Sequence, residues 1–160
     1  MKNLVIVFAA CVLVLGVSAQ EKITKSKLIG KWSLAAVEMK NMFYFDIEKD
    51  SLALGDMITS QVTDPSQLEL VKTTTKGQLA MLKSIYFQFN NDGSTEFNSG
   101  TGDSKGGTYT VDEEKSTITT TDKSEKSDKQ TIPAEIVAEK LRLTMSQPQG
   151  DFVMLLKKSK

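Results

Sequence analysis

The sequence predicts an all-β protein: an eight-stranded up-and-down antiparallel barrel with a helical insertion between strands one and two. Three observations carry this expectation. From Ser84 onward apolar and polar residues alternate with period two, and turn-forming clusters interrupt them about every 10 residues. No helical period returns after Leu82, which excludes the crossover helices of a parallel sheet. A meander this long also leaves two open edges unless it closes on itself.

The chain has 160 residues, and the first 19 read as a secretory signal. Lys2 supplies the positive start, Leu4 to Val17 is almost wholly apolar, and Val17-Ser18-Ala19 offers small residues before a cut ahead of Gln20. An apolar run of about 14 residues falls short of the roughly 20 that cross a bilayer. The expectation is therefore an exported protein, periplasmic or secreted, with no transmembrane span in its mature chain. Residues 20–160 form a single domain, long enough to bury roughly two-thirds of its unfolded surface. Cys11 follows Phe8-Ala9-Ala10 and precedes Val12-Leu13-Val14-Leu15, an apolar run where a lipoprotein carries a polar tether, so lipid anchoring is not expected.

Along the mature chain, Lys31 to Lys40 reads as strand one, with Trp32, Leu34 and Ala36 on one side. Residues 41–82 break the pattern and are read as the insertion. There Asp64 is a helix N-cap, Pro65 the first helical position and Gln67 the partner of a capping box. Leu68, Val71, Thr75, Leu79 and Leu82 then mark one helical face, weakened by Thr73-Thr74-Thr75 and Gly77. Leu54, Met57, Ile58 and Val62 suggest a shorter helix upstream. Ile85 to Phe89 and Thr95 to Phe97 flank Asn90-Asn91-Asp92-Gly93, a strong hairpin signal because glycine tolerates the positive φ of the turn. Gly100 to Gly107 reads as a longer loop. Thr108 to Val111, Ser116 to Thr121, Thr131 to Val137, Lys140 to Met145 and Phe152 to Lys158 complete the strands, with Asp122 to Lys129 a solvated turn.

Gly30 and Trp32 opening strand one, Phe87, Phe89, Asp92 and Gly93 in mid-chain, and Lys157 with Lys158 ending the last strand together resemble the exported bacterial lipocalin-like domains, calycin-type barrels. The resemblance runs from Leu28 to Lys158 and rests mainly on element order. It implies an eight-stranded barrel, often with an apolar cavity, closed at one end by Gly30, Trp32 and a cation. Lipocalins proper place an arginine over that indole. The only arginine here, Arg142, lies in the penultimate strand, so Lys157 or Lys158 is the nearer match. Fatty-acid-binding barrels close their mouths with helices between the first two strands, which makes residues 41–82 similar to a lid.

Parity places Phe87, Phe89, Phe97, Tyr109, Val111, Ile118, Ile132, Ile136, Leu141, Leu143, Met145, Phe152, Met154 and Leu156 inside the barrel. Phe87, Phe89, Phe97, Tyr109, Leu143, Met145, Phe152 and Met154 are the candidate ligand-binding calyx. Phe43, Tyr44, Phe45, Leu68, Val71 and Leu79 are candidates for a lid or rim. An eight-stranded barrel is wide enough either to be filled by its own side chains or to hold one small ligand, and both outcomes stay open.

The chemistry excluded is as informative. There is no histidine, and the single cysteine goes with the signal, which argues against a thiol enzyme, an imidazole triad, a zinc site and a disulfide scaffold. Without Lys2 the chain carries 19 basic and 20 acidic residues, a balance unsuited to nucleic acid. No cofactor, metal or catalytic residue is expected. Gly100 to Gly107 fails the spacing of dinucleotide and P-loop motifs. Asp46 with Glu48, and Glu113 with Glu114, are acid pairs better read as solvated charge. Lys157, Lys158 and Lys160, with Lys123, Lys126 and Lys129, supply either a basic rim for an anionic head group or ordinary surface charge, the favoured reading. The functional expectation is a monomeric, non-enzymatic barrel that binds a small apolar or amphipathic molecule. A filled-barrel interaction module of the cell envelope is the alternative.

Overall fold

The computed structural model describes residues 21–100, 104–123 and 129–159. The segment expected to be a signal, with Cys11, and Lys126 and Lys160 lie outside them. β2 (Gly30–Met39), β5 (Tyr86–Phe89), β6 (Ser94–Asn98), β7 (Ser104–Asp112), β8 (Thr117–Asp122), β9 (Lys129–Val137), β10 (Lys140–Gln147) and β11 (Gly150–Lys158) pair antiparallel in sequence order. β11 returns to pair with β2, and the eight strands close into a barrel. Alternation supplies the interior: Ile118, Ile132, Ala134, Leu141, Leu143, Met154 and Leu156 are all buried. The β5–β6 turn is the expected one, with Gly93 at φ 86° and Asp92 Oδ1 accepting from Ser94 N at 2.8 Å.

Two regions differ from expectation in their strand boundaries. Ser104 to Gly107 belong to β7, paired with Asn98 to Thr95, and are not loop. Asp122 and Lys129 likewise end β8 and begin β9. In β2 the Leu155 and Leu156 partners are Ala36 and Leu34, so Ala35 is a bulge. Parity flips there. Trp32 and Leu34 point inward as expected, but beyond the bulge Val37 and Met39 continue the inner face in place of Ala36.

The insertion is only partly helical. β3 (Phe43–Asp46) and β4 (Ser51–Leu54) form a hairpin that takes over pairing with β2 at Ala36 to Met39, above the point where β5 leaves it. Phe45 and Leu52 are thereby buried in the core. α2 (Asp56–Thr59) is a single turn. α3 (Pro65–Leu79) starts as the sequence predicts, with Asp64 Oδ1 accepting from Ser66 N at 2.8 Å and Gln67 N at 3.0 Å. A 3-10 turn (Ala80–Ser84) leads into β5.

One end of the barrel is plugged by a segment outside the predicted elements. β1 (Glu21–Lys22) pairs with β9 at Ile136 and Glu135, where β8 has ended. α1 (Lys25–Leu28), capped by Thr24, then crosses beneath the barrel to β2. Ile23 and Leu28 are fully buried by this crossing.

Candidate functional site

The barrel interior divides into a filled half and a hollow half. At the plugged end Phe89 and Tyr109 meet edge to face at 5.0 Å between ring centres. Burial pushes the Tyr109 phenol up from its ordinary pKa, and its hydroxyl donates to Asn90 O at 2.8 Å. Trp32 closes this end, its Nε1 donating to Leu28 O at 2.7 Å. The cation over the indole is Lys158, with Nζ 5.4 Å from the ring centre. Lys157, offered for that place on position, instead pairs with Glu48 at 2.8 Å on the outer wall. Gly30 makes the arrangement feasible: its φ is +125°, and a Cβ there would lie 2.8 Å from Lys158 Cε.

Toward the opposite end lies a cavity of about 460 Å³. Of the eight candidate calyx residues, Phe87, Phe97, Met145, Phe152 and Met154 line it. Phe89, Tyr109 and Leu143 belong to the filled half and do not. Phe87 and Phe97 pack against each other at 4.7 Å, and with Ile85 and Ile132 they complete an apolar wall over β5, β6 and the floor. The other wall is polar and was not foreseen. Lys105, Gly107, Thr120, Asp122 and Gln130 come from β7, β8 and β9, each in step with an apolar inward residue of its strand. Gly107 contributes space, since a Cβ there would sit 2.4 Å from Thr121 O. Parity carried far enough would have found this wall: Thr120 stands two residues after Ile118, and Gln130 two before Ile132.

None of the lid candidates lines the cavity. Phe45 is core, Tyr44 is 38% exposed, and Phe43 packs against the core beside the hairpin. Leu68, Val71 and Leu79 do share the inner face of α3, yet each is only half-buried. The β3–β4 hairpin of the insertion extends the barrel wall where β2 exchanges β5 for β3. Its hold is ionic. Asp50, in the β3–β4 turn, pairs with Lys76 of α3 at 2.6 Å and with Lys83 at 2.9 Å. Glu48 in the same turn pairs with Lys140 and Lys157 of the barrel wall. The acid pair Asp46 and Glu48 is thus divided between separate lysines, Asp46 taking Lys49. Among the described residues no group of three metal-ligating side chains forms, and no helix is long and apolar enough to cross a membrane.

Hydrogen bonds from Lys76 and Lys83 hold the Asp50 carboxyl below its ordinary 3.8. A depressed carboxylate stabilises above its unfolded value, and that contribution is lost as pH falls through the folded one. Hydrogen-exchange protection of residues 65–84 is therefore expected to drop below pH 3.8, and at neutral pH in high salt, while β7–β11 stay protected. Asp50→Asn should show the low protection at every pH. Simultaneous loss in barrel and helix would refute an ionic hold.

The fold and cavity define a closed antiparallel β-barrel with a pocket large enough for a small molecule. No protein-family model matches the chain, and neither does any curated protein or solved structure.

Proposed function

We propose that this chain is a non-enzymatic, exported, lipocalin-like protein that carries or senses a small apolar or amphipathic molecule in the open half of the barrel. The carrying observation is the cavity. About 460 Å³ corresponds to roughly 15 water volumes. This falls within the ordinary range of small-molecule pockets, and the walls are aromatic with a few polar groups on one side. Met145 and Met154 add flexible, polarisable surface that adapts to a ligand's shape. The Gly30, Trp32 and Lys158 closure supports the lipocalin-like reading.

A second reading has its own observation. The large hydrophobics that stand exposed among the described residues, Tyr44, Met57, Leu70 and Met81, all fall in the insertion. They favour an envelope module that docks through this segment. Native mass spectrometry of the protein isolated without detergent from its own cell separates the two. The ligand reading expects an added mass of a few hundred daltons that is lost on denaturation. Bare protein whose melting is unmoved by fatty acids, isoprenoids and haem-like compounds would overturn it. A true ligand at a hundred times its Kd should add about 2.7 kcal/mol of stability.

A further inference from the structure

The cavity has two unlike walls, and this asymmetry bears on what fits. One wall is hydrocarbon and aromatic ring: Ile85, Phe87, Phe97, Met145, Phe152 and Met154. Polar groups close to it are spent within the fold. Thr95 Oγ1 donates to Gln88 O at 2.9 Å, and the Tyr109 hydroxyl to Asn90 O at 2.8 Å. Thr120 and Gln130 on the facing wall differ. They are direct cross-strand partners on β8 and β9, so their side chains stand together on the face that Ile118 and Ile132 mark as the inner one. Both line the cavity. Among the described residues the Thr120 hydroxyl has no hydrogen-bond partner, and the Gln130 amide meets only the Met145 sulfur, at 4.0 Å. A hydroxyl beside a carboxamide presents both donors and acceptors to a molecule in the cavity.

The charges of the lining cancel. Among the described residues they are Lys105 and Asp122, of opposite sign. Asp122 is the partner of Gly107, two residues along β7 from Lys105, so the two are diagonal neighbours on the inner face. Lys105 is exposed, and Asp122 has an interaction of its own. A carboxylate or ammonium head would meet one attractive and one repulsive charge, and would give up its hydration as well. A neutral head gives up far less. The volume sets the size: about 460 Å³ is roughly 15 water volumes, room for an apolar body of about a dozen non-hydrogen atoms.

We propose that the barrel's occupant is an uncharged amphiphile, an apolar body carrying a hydroxyl or amide group. The body lies against Phe87, Phe97 and Phe152, and the polar group sits on Thr120 and Gln130. This rests on the ligand-binding reading above and deepens it. Thr120 and Gln130 become the residues that choose the head group, and the aromatic wall binds whatever is apolar.

Five probes with the same ten-carbon chain test it by titration calorimetry, the protein being added to the probe: decanol, decanamide, decanoate, decyltrimethylammonium and 1-chlorodecane. Decanol or decanamide is expected to bind about tenfold tighter than either ion. Decanol against decanamide shows whether the site takes a hydroxyl or an amide. In the double variant Thr120→Val with Gln130→Leu, the preferred neutral probe should weaken about tenfold. The affinity of 1-chlorodecane, whose head forms no strong hydrogen bond, should not fall. Thr120→Val alone is close to isosteric and should give part of the loss even if the double variant fails to fold. An ion that binds as tightly as both neutral probes overturns the head-group assignment and leaves the cavity reading standing. So does a variant that weakens neither neutral probe, or weakens 1-chlorodecane equally. Binding by none of the five overturns the cavity reading itself.

Discussion

Trp32→Ala is expected to destabilise the protein by about 3–5 kcal/mol, lowering the melting temperature by about 10 °C or more. The indole is 3% exposed and lies where β2, α1 and β11 converge. Its removal opens a cavity at the plugged end. The Leu28 carbonyl loses its donor, and Lys158 loses the ring beneath its ammonium. Lys158→Met separates these contributions. An exposed cation over a ring is worth about 0.5–1 kcal/mol, so this variant should lose no more than that. The plug itself is tested by Leu28→Ala, whose side chain is fully buried and should cost about 2–5 kcal/mol. A melting curve that Trp32→Ala leaves in place would show that the indole is not part of the core.

Why the barrel was legible and its plug was not follows from the signals each leaves. β5 to β11 alternate with period two between turns of recognisable chemistry, such as Asn90 to Gly93, so their order and closure can be read directly. Ile23 and Leu28 sit in a segment too short to show any period, and only the finished barrel gives them something to bury against. Leu34-Ala35-Ala36-Val37 is apolar throughout, so a bulge leaves no trace in the pattern. Phe43 and Phe45, with Leu52 and Leu54, do alternate across the β3–β4 hairpin. The helical signals downstream at Asp64 and Pro65 outweighed them. The cavity was half legible. Phe87, Phe97, Met145, Phe152 and Met154 announce themselves as interior, whereas Lys105, Thr120 and Gln130 look like surface until register places Lys105 opposite Phe97, Thr120 opposite Tyr109 and Gln130 opposite Thr120. Which half of the barrel is hollow depends on Gly107 and on residue volumes summed around the ring, and alternation contains neither.

Met154→Trp is expected to abolish small-molecule binding, with affinity falling about a hundredfold or more, while leaving the melting temperature unchanged or raised. The two readouts have different physical origins. Met154 stands on β11 between the filled half and the cavity, opposite Leu143 and Val37. A larger side chain has open volume to grow into if the cavity is real. It then gains contact with Phe87, Phe97 and Ile132 and takes the space a ligand tail would use. In a barrel filled by its own side chains the same substitution has nowhere to go, and overpacking costs about 1–3 kcal/mol. Stability thus reports on the cavity without any ligand being known, and binding reports on its use. A variant that is destabilised and yet keeps the native adduct would place the ligand elsewhere. A stable variant that loses the adduct would locate it in the open half of the barrel.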